Sequence, residues 1–232
     1  MRKLLFFLLT IVYLFCSGCG KTSTNEIPMY GGIEFTPEQK EINEKFIQGV
    51  VKQYGSREAA ADESVRWGWH YYNEKHDLKT AMKRFNQAWL LDPNNAGAFF
   101  GFGFLMAEKG KEDEAITYYK KSIELDPKNA VAICNFGRIY ENKAYRLYRQ
   151  RKRKEMLRNL DEAINLYKKA SQVATTDDDL GYIYYQWAVA LELAGNYEEA
   201  WNKIKLARKH DGHYIELGFI RQLSRHMPEP KE

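Results

Sequence analysis

The chain has 232 residues, 28% of them charged, with 35 Lys plus Arg against 31 Asp plus Glu and a formal charge of +4. That balance gives no general attraction to nucleic acid, and the content of Ala, Leu, Lys, Glu and Tyr with only six prolines points to helices. Two of the three cysteines, Cys16 and Cys19, crowd near the start, so Cys134 is alone in the body and an internal disulfide framework is excluded.

The chain opens Met-Arg-Lys and runs into LLFFLLTIVYLF at 4–15, apolar except for Thr10 and the Tyr13 hydroxyl. Such a run is too short for a bilayer span, which takes about 20 residues. A basic start, a short apolar core and then small residues form the pattern of a secretory signal. Ser17 and Gly18 before Cys19 resemble the lipobox of bacterial lipoproteins. That resemblance implies a signal peptide over 1–18, acylation of Cys19 (palmitate among the acyl chains), and loss of Cys16 with the signal. Phe15 is too bulky to occupy a cut site before Cys16. Gly20 rather than Asp after Cys19 implies an outer-membrane address facing the periplasm. Several acyl chains make a firm anchor, each buried methylene contributing about 0.8 kcal/mol. Residues 19–36 have no helical period and read as a flexible lipid tether, its coil spanning roughly 20–25 Å.

Residues 37–61 form an N-terminal helical unit. Its helix covers 37–54, with Thr36 as N-cap, Pro37 in the first turn and Gly55 as stop. Ile42, Phe46, Val50 and Tyr54 make its apolar stripe. Beyond it a repeat sets in: Asp92-Pro93 returns as Asp126-Pro127 after 34 positions, and Ala81, Phe85 and position 103 find partners at Ala115, Tyr119 and Gly137. A 34-residue period with this pattern resembles the tetratricopeptide repeat. The resemblance implies an all-α, right-handed α-solenoid of about four helix hairpins. The repeats fall at 62–95, 96–129, 130–176 and 177–213, with a capping helix and tail over 214–232. Small Gly103, Ala115, Ala163 and Ala200 let paired helices approach, and bulky Phe85, Tyr119 and Tyr167 fill the space beside them. In repeat one Trp69 replaces the usual small residue, with Gly68 one step away. Repeat three carries an insertion of about 14 residues, which predicts that both its helices lengthen into a protruding hairpin over 142–160.

No phosphate loop, zinc-spaced cysteine pair or nucleophile motif is present, so neither an enzyme nor a cofactor or metal is expected. GAFFGFGF at 97–104 follows no strand and reads as close helix packing. His210 and His213 flank a turn at Gly212. Asp177, Asp178 and Asp179 sit where carboxylates favour a helix start. Buried Cys134 is read as a small hydrophobe. The inserted hairpin holds Arg146, Arg149, Arg151, Lys152, Arg153 and Lys154, open to three readings: a solvated face, contact with anionic lipid headgroups, or an acidic protein partner. By resemblance, the first helices line a concave groove for a protein or peptide. It draws on Arg66, Trp67, His70 and Asn73, on Phe100 and Phe104, on Cys134, Asn135 and Arg138, and on Tyr182, Tyr185 and Gln186. Gly101 and Val131 stand at positions where a carboxylate clamp needs polar groups, so that function is not implied. The reading is a lipid-anchored interaction scaffold supporting assembly of a cell-envelope complex, with a non-catalytic regulatory subunit of a cell-wall hydrolase or synthase as the alternative.

Overall fold

The computed structural model describes residues 23–231, so Cys19, the expected signal and the start of the tether lie outside the described residues. The described residues form ten α-helices and no strand: α1 (Pro37–Tyr54), α2 (Arg57–Asn73), α3 (Leu78–Leu91), α4 (Ala96–Glu108), α5 (Glu112–Leu125), α6 (Ala130–Arg149), α7 (Arg153–Val173), α8 (Asp177–Ala194), α9 (Tyr197–His210) and α10 (Leu217–His226). From α2 to α9 they pair as four antiparallel hairpins, closed by α10.

Local chemistry explains the boundaries. The Thr36 amide donates to Gln39 Oε1 at 2.9 Å and the Gln39 amide to Thr36 Oγ1 at 3.3 Å, a reciprocal cap for α1. Gly55 ends that helix with φ 90°, a region that glycine enters without a steric cost. The repeated Asp-Pro is one part of a four-residue joint. Asp92 and Asp126 each accept from the amide two residues on, while Asn95 and Asn129 cap the next helix through the amides of Ala98 and Ala132, both at 2.9 Å. Thr176 caps α8, and Asp177–Asp179 occupy its first turn, where the helix dipole favours negative charge.

Glycine and aromatic pairs set the hairpin spacing. A Cβ on Gly103 would lie 3.0 Å from the Tyr119 ring, and one on Gly137 2.8 Å from the Tyr167 ring. In repeat one the same role falls to Gly68, whose Cβ would lie 2.4 Å from Phe85. Gly68 stands one position ahead of the place that matches Gly103 and Gly137. The face that α2 turns to its partner is therefore shifted by one residue. Phe85 is fully buried and also meets Gly101 of the next repeat, at 2.5 Å from a Cβ there. Helices α6 and α7, with 20 and 21 residues, are each longer than their counterparts α4 and α5 with 13 and 14. The lengthened hairpin turns at Arg151, which has φ 60°.

Three expectations are corrected. The tether is docked over its described part: residues 24–26 and 28–32 form two 3-10 turns against α3. Asn86, wholly buried in α3, donates through Nδ2 to the carbonyls of Asn25 and Ile27 at 3.0 and 2.9 Å. Glu26 lies 3.6 and 3.7 Å from the ammoniums of Lys79 and Lys83, and Tyr30 packs on Trp89. No hydrophobic period betrays this docking, because backbone carbonyls and isolated side chains such as Tyr30 make it. Next, the buried face of α1 is turned by a residue: Ile47 is buried and Phe46, Val50 and Val51 pack partly, while Ile42 is 65% exposed. Finally, α2 begins at Arg57, so residues 57–61 belong to the first hairpin. Arg57 Nε reaches the Leu91 carbonyl at 2.8 Å and satisfies the end of α3.

Asn86→Leu should release the N-terminal segment. The substitution leaves two carbonyls without a donor, at a cost of about 1–3 kcal/mol. Limited proteolysis should then cut between 24 and 35 well before the repeats, whereas the wild type should resist there.

Candidate functional site

The first helices of the hairpins, α2, α4, α6 and α8, face one another across a groove with two chambers. The first chamber, about 310 Å³, is mostly aromatic with a few polar groups: Trp69, Tyr72 and Asn73 from α2, Phe100 and Phe104 from α4, Val131 and Asn135 from α6, then Asp178, Asp179, Tyr182 and Tyr214. Trp69 sits 4.9 Å from Phe100 and 5.2 Å from Phe104, ring centre to ring centre. Phe100 is 9% exposed, so most of its surface is packing, and Phe104 is half-buried.

The second chamber, about 770 Å³, lies between the lengthened α6, α8 and the returning α10. It is lined by Arg138, Glu141, Tyr145, Tyr148, Tyr185, Gln186, Glu192, Tyr197, Glu216, Phe219, Gln222 and His226 among others. A polar partition divides the two: Arg138 Nη1 donates to Tyr182 Oη at 3.1 Å and to Asn135 Oδ1 at 3.3 Å. Behind it the Tyr167 hydroxyl donates to the Glu141 carboxylate. Burial pushes the Glu141 carboxyl up to about 7, against the opposing pull of the Tyr167 bond and the Arg138 charge. Glu192, 8% exposed, accepts from Gln222 Nε2 at 3.0 Å and faces His226 Nε2 at 3.4 Å.

The structure brings together Asn73, Phe100, Phe104, Asn135 and Tyr182 in the first chamber, and Arg138, Tyr185 and Gln186 in the second. It does not bring in Arg66, Trp67 or His70. The Arg66 side chain is 73% exposed and pairs with Glu63, its Nε at 2.9 Å. Trp67 stacks edge-on to His70, and His70 faces Glu74 at 3.1 Å. The cause is the one-residue shift at Gly68, which turns Trp69 and Tyr72 into the groove and carries Trp67 and His70 out of it. Cys134 is fully buried, and burial pushes its thiol up, consistent with a packing role.

Sequence reasoning missed Glu141 and Glu192. The signal was a carboxylate towards the C-terminal part of a first helix, and nothing local says which face α10 will cover. In the inserted hairpin, Met156 and Leu160 are buried inside, while Arg149, Arg151, Lys152, Arg153 and Lys154 stay exposed. Arg146 crosses to Glu112 of the preceding repeat at 2.6 Å. Tyr145 and Tyr148, 54% and 58% exposed, are not part of that interior and line the second chamber. At the last junction His210 meets Asp177 and His213 meets Asp211, both at 2.7 Å. Asp178, Asp211 and His213 offer three ligand atoms within 4.8 Å of one another at the surface, where these mutual contacts account for them.

Two family models, both described as Tetratricopeptide repeat, match residues 96–129 and 118–165. The Photosystem I assembly protein Ycf3 of Rippkaea orientalis is 30% identical over 122 residues, 52% of this chain and 59% of that protein. The probable UDP-N-acetylglucosamine–peptide N-acetylglucosaminyltransferase SPINDLY of Hordeum vulgare is 30% identical over 124 residues, which are 53% of this chain and 12% of that protein. The chain thus spans less than two thirds of either relative. Among solved structures, a crystal structure of MamA has 19% identity and a TM-score of 0.48, covering 77% of this chain and 96% of that one.

Proposed function

The chain carries tetratricopeptide repeats, and on that footing we propose that it is a non-catalytic scaffold, held to the cell envelope by lipid on Cys19, that binds a partner protein during assembly of an envelope complex. The observation that carries this reading is the first chamber. Half-buried Trp69, Tyr72 and Phe104 meet across two repeats in a concavity that the described residues leave open. Aromatic side chains in a partly desolvated pocket are the usual anchors of protein recognition. The name of Ycf3 as an assembly protein is consistent with such a role. The transferase named in barley shares 12% of its length with this chain, which is no basis for carrying its chemistry over. Lipidation and the outer-membrane address rest on the sequence: the basic start, the apolar run 4–15, and Ser17, Gly18, Cys19 and Gly20.

The test is crosslinked capture from intact envelopes with wild type and with Asn73→Arg/Val131→Arg, which fills the first chamber from two sides. One protein captured by the wild type and lost by the variant supports the reading. Equal capture by both sinks it. Labelled palmitate should enter the wild type and not Cys19→Ser, and incorporation into both would refute the anchor assignment.

A further inference from the structure

The second chamber differs in chemistry from the first, and this difference selects a ligand. Three carboxylates line it: Glu141 from α6, Glu192 from α8 and Glu216 just before α10. Four tyrosines, Tyr145, Tyr148, Tyr185 and Tyr197, form its walls. Its own basic side chains are engaged. Arg138 is tied into the partition, and His226 lies flat on Tyr197, 4.7 Å between ring centres at 3°, while facing Glu192. Arg151 and Arg153 belong to a neighbouring hollow of about 410 Å³ on the other side of Tyr148 and Tyr197. An anionic guest would meet three carboxyl groups here, Glu192 and Glu216 alongside a Glu141 that itself charges as pH rises through about 7. A purely apolar guest would strip water from Glu141 and Glu192 without replacing it.

We infer that this chamber seats a cationic side chain, Arg or Lys, from an extended segment of the partner protein. The inference rests on the scaffold reading and adds the partner's chemistry to it. A guanidinium fits best. It stacks on tyrosine faces through the ring quadrupole, and its planar fork can bond a carboxylate on two nitrogens. The exposed Tyr145 and Tyr148 would close over the stem of the side chain, and Glu141 and Glu192 would meet its head. The first chamber then takes an aromatic or aliphatic residue of the same segment across the Asn135–Tyr182–Arg138 partition.

Ionisation gives a second signature. The groups acting on Glu141 are Arg138 and Cys134 on its own helix, Tyr167 from α7, and Tyr182 and Tyr185 from α8, while Glu192, Glu216 and His226 line the same chamber. With its carboxyl near 7, Glu141 gains charge as pH rises from 6 to 8. A cationic guest should bind more tightly over that interval.

The experiment uses the full chain in non-ionic detergent and fluorescence anisotropy with a fluorescein-labelled Gly-Phe-Gly-Gly-Arg-Gly peptide. Its counterpart has citrulline, a neutral isostere, in place of Arg. At pH 8 the Arg peptide should bind about tenfold tighter or more than the citrulline peptide. Glu141→Gln/Glu192→Gln should erase that preference while leaving the weaker citrulline binding. Tyr145→Ala/Tyr148→Ala, at exposed positions, should weaken the Arg peptide severalfold and keep a wild-type melt. Equal binding of both peptides, or a preference that survives the Gln pair, overturns the inference. So does self-association of the chain that the Arg peptide displaces, because the occupant is then a second copy's basic hairpin. If an envelope protein is captured through the first chamber but Arg and citrulline peptides bind alike, the scaffold reading stands and this inference falls. If neither peptide binds and Asn73→Arg/Val131→Arg captures as the wild type does, both fall.

Discussion

Gly181→Ala destabilises the protein by about 3 kcal/mol, at the upper end of what an added methyl does in a packed site. The reason is the neighbour. A Cβ at position 181 would lie 2.0 Å from the carbonyl oxygen of Asp211, 2.8 Å from its carbon and 2.9 Å from its nitrogen. All three are backbone atoms, so no side-chain rotation relieves the clash. The contact joins the second turn of α8 to the link between α9 and α10, and that link is tied to α8 on both sides. Tyr214 bonds Asp178, and His210 at the end of α9 meets Asp177 at 2.7 Å. Relief therefore requires α9 and α10 to move away from α8 together. The expected melt is lower in midpoint, with loss of the Trp201 contact to the Met227 carbonyl reported by tryptophan emission. Gly49→Ala is the control. It sits within α1 with nothing within 4 Å of the added methyl, so it should stabilise by about 0.5–1 kcal/mol through helix propensity alone. Matching melts for the two variants would show that the backbone contact at Gly181 is not a constraint on the fold.

These glycines also explain what could be read in the sequence. The spacing of Ala81 and Ala115, of Phe85 and Tyr119, and of the two Asp-Pro pairs is local and recurs, so hairpin number, order and the lengthened third hairpin were legible. The groove was legible only in part. Its positions were laid out on a fixed register, and one residue of rotation at Gly68 moves a helix face by about 100°. That was enough to exchange Trp67 and His70 for Trp69 and Tyr72, while Arg66 is held outside by Glu63. The docked segment at 24–32 was not legible, since its carbonyls pair with one buried Asn86 and its few apolar contacts, such as Tyr30 on Trp89, follow no helical or strand period. Nor was the second chamber, because its far wall comes from α10, about 80 residues after Glu141 in a 232-residue chain.

Glu141→Gln should raise stability in alkaline solution and leave it unchanged in acid. The carboxyl sits near 7 in the folded chain against an ordinary value of 4.5, because burial disfavours its charged form. The folded state therefore holds a proton between those limits that the unfolded state has released. The proton-linked stabilisation is complete below 4.5 and is lost as pH rises through about 7. Above that, the wild type carries a desolvated charge and the amide variant does not, a difference of roughly 2 kcal/mol after allowing for access of water to the chamber. Gln keeps an acceptor for the Tyr167 hydroxyl, so the bond behind the partition survives. Thermal melts at pH 4.5 and pH 8.5 should coincide at the first and separate at the second, with Gln the more stable. Tyr167→Phe removes one of the influences that holds the carboxyl down, so it should move the midpoint of this pH dependence upward. A Gln variant less stable than wild type at pH 8.5 would mean that the carboxylate is well solvated there and is no burden on the fold. A burden is the more informative result. A side chain that weakens the folded state at neutral pH, and faces an open tyrosine-lined chamber, has its compensation in a bound positive charge. The substitution that most improves the melt should also be the one that most reduces the preference for Arg over citrulline.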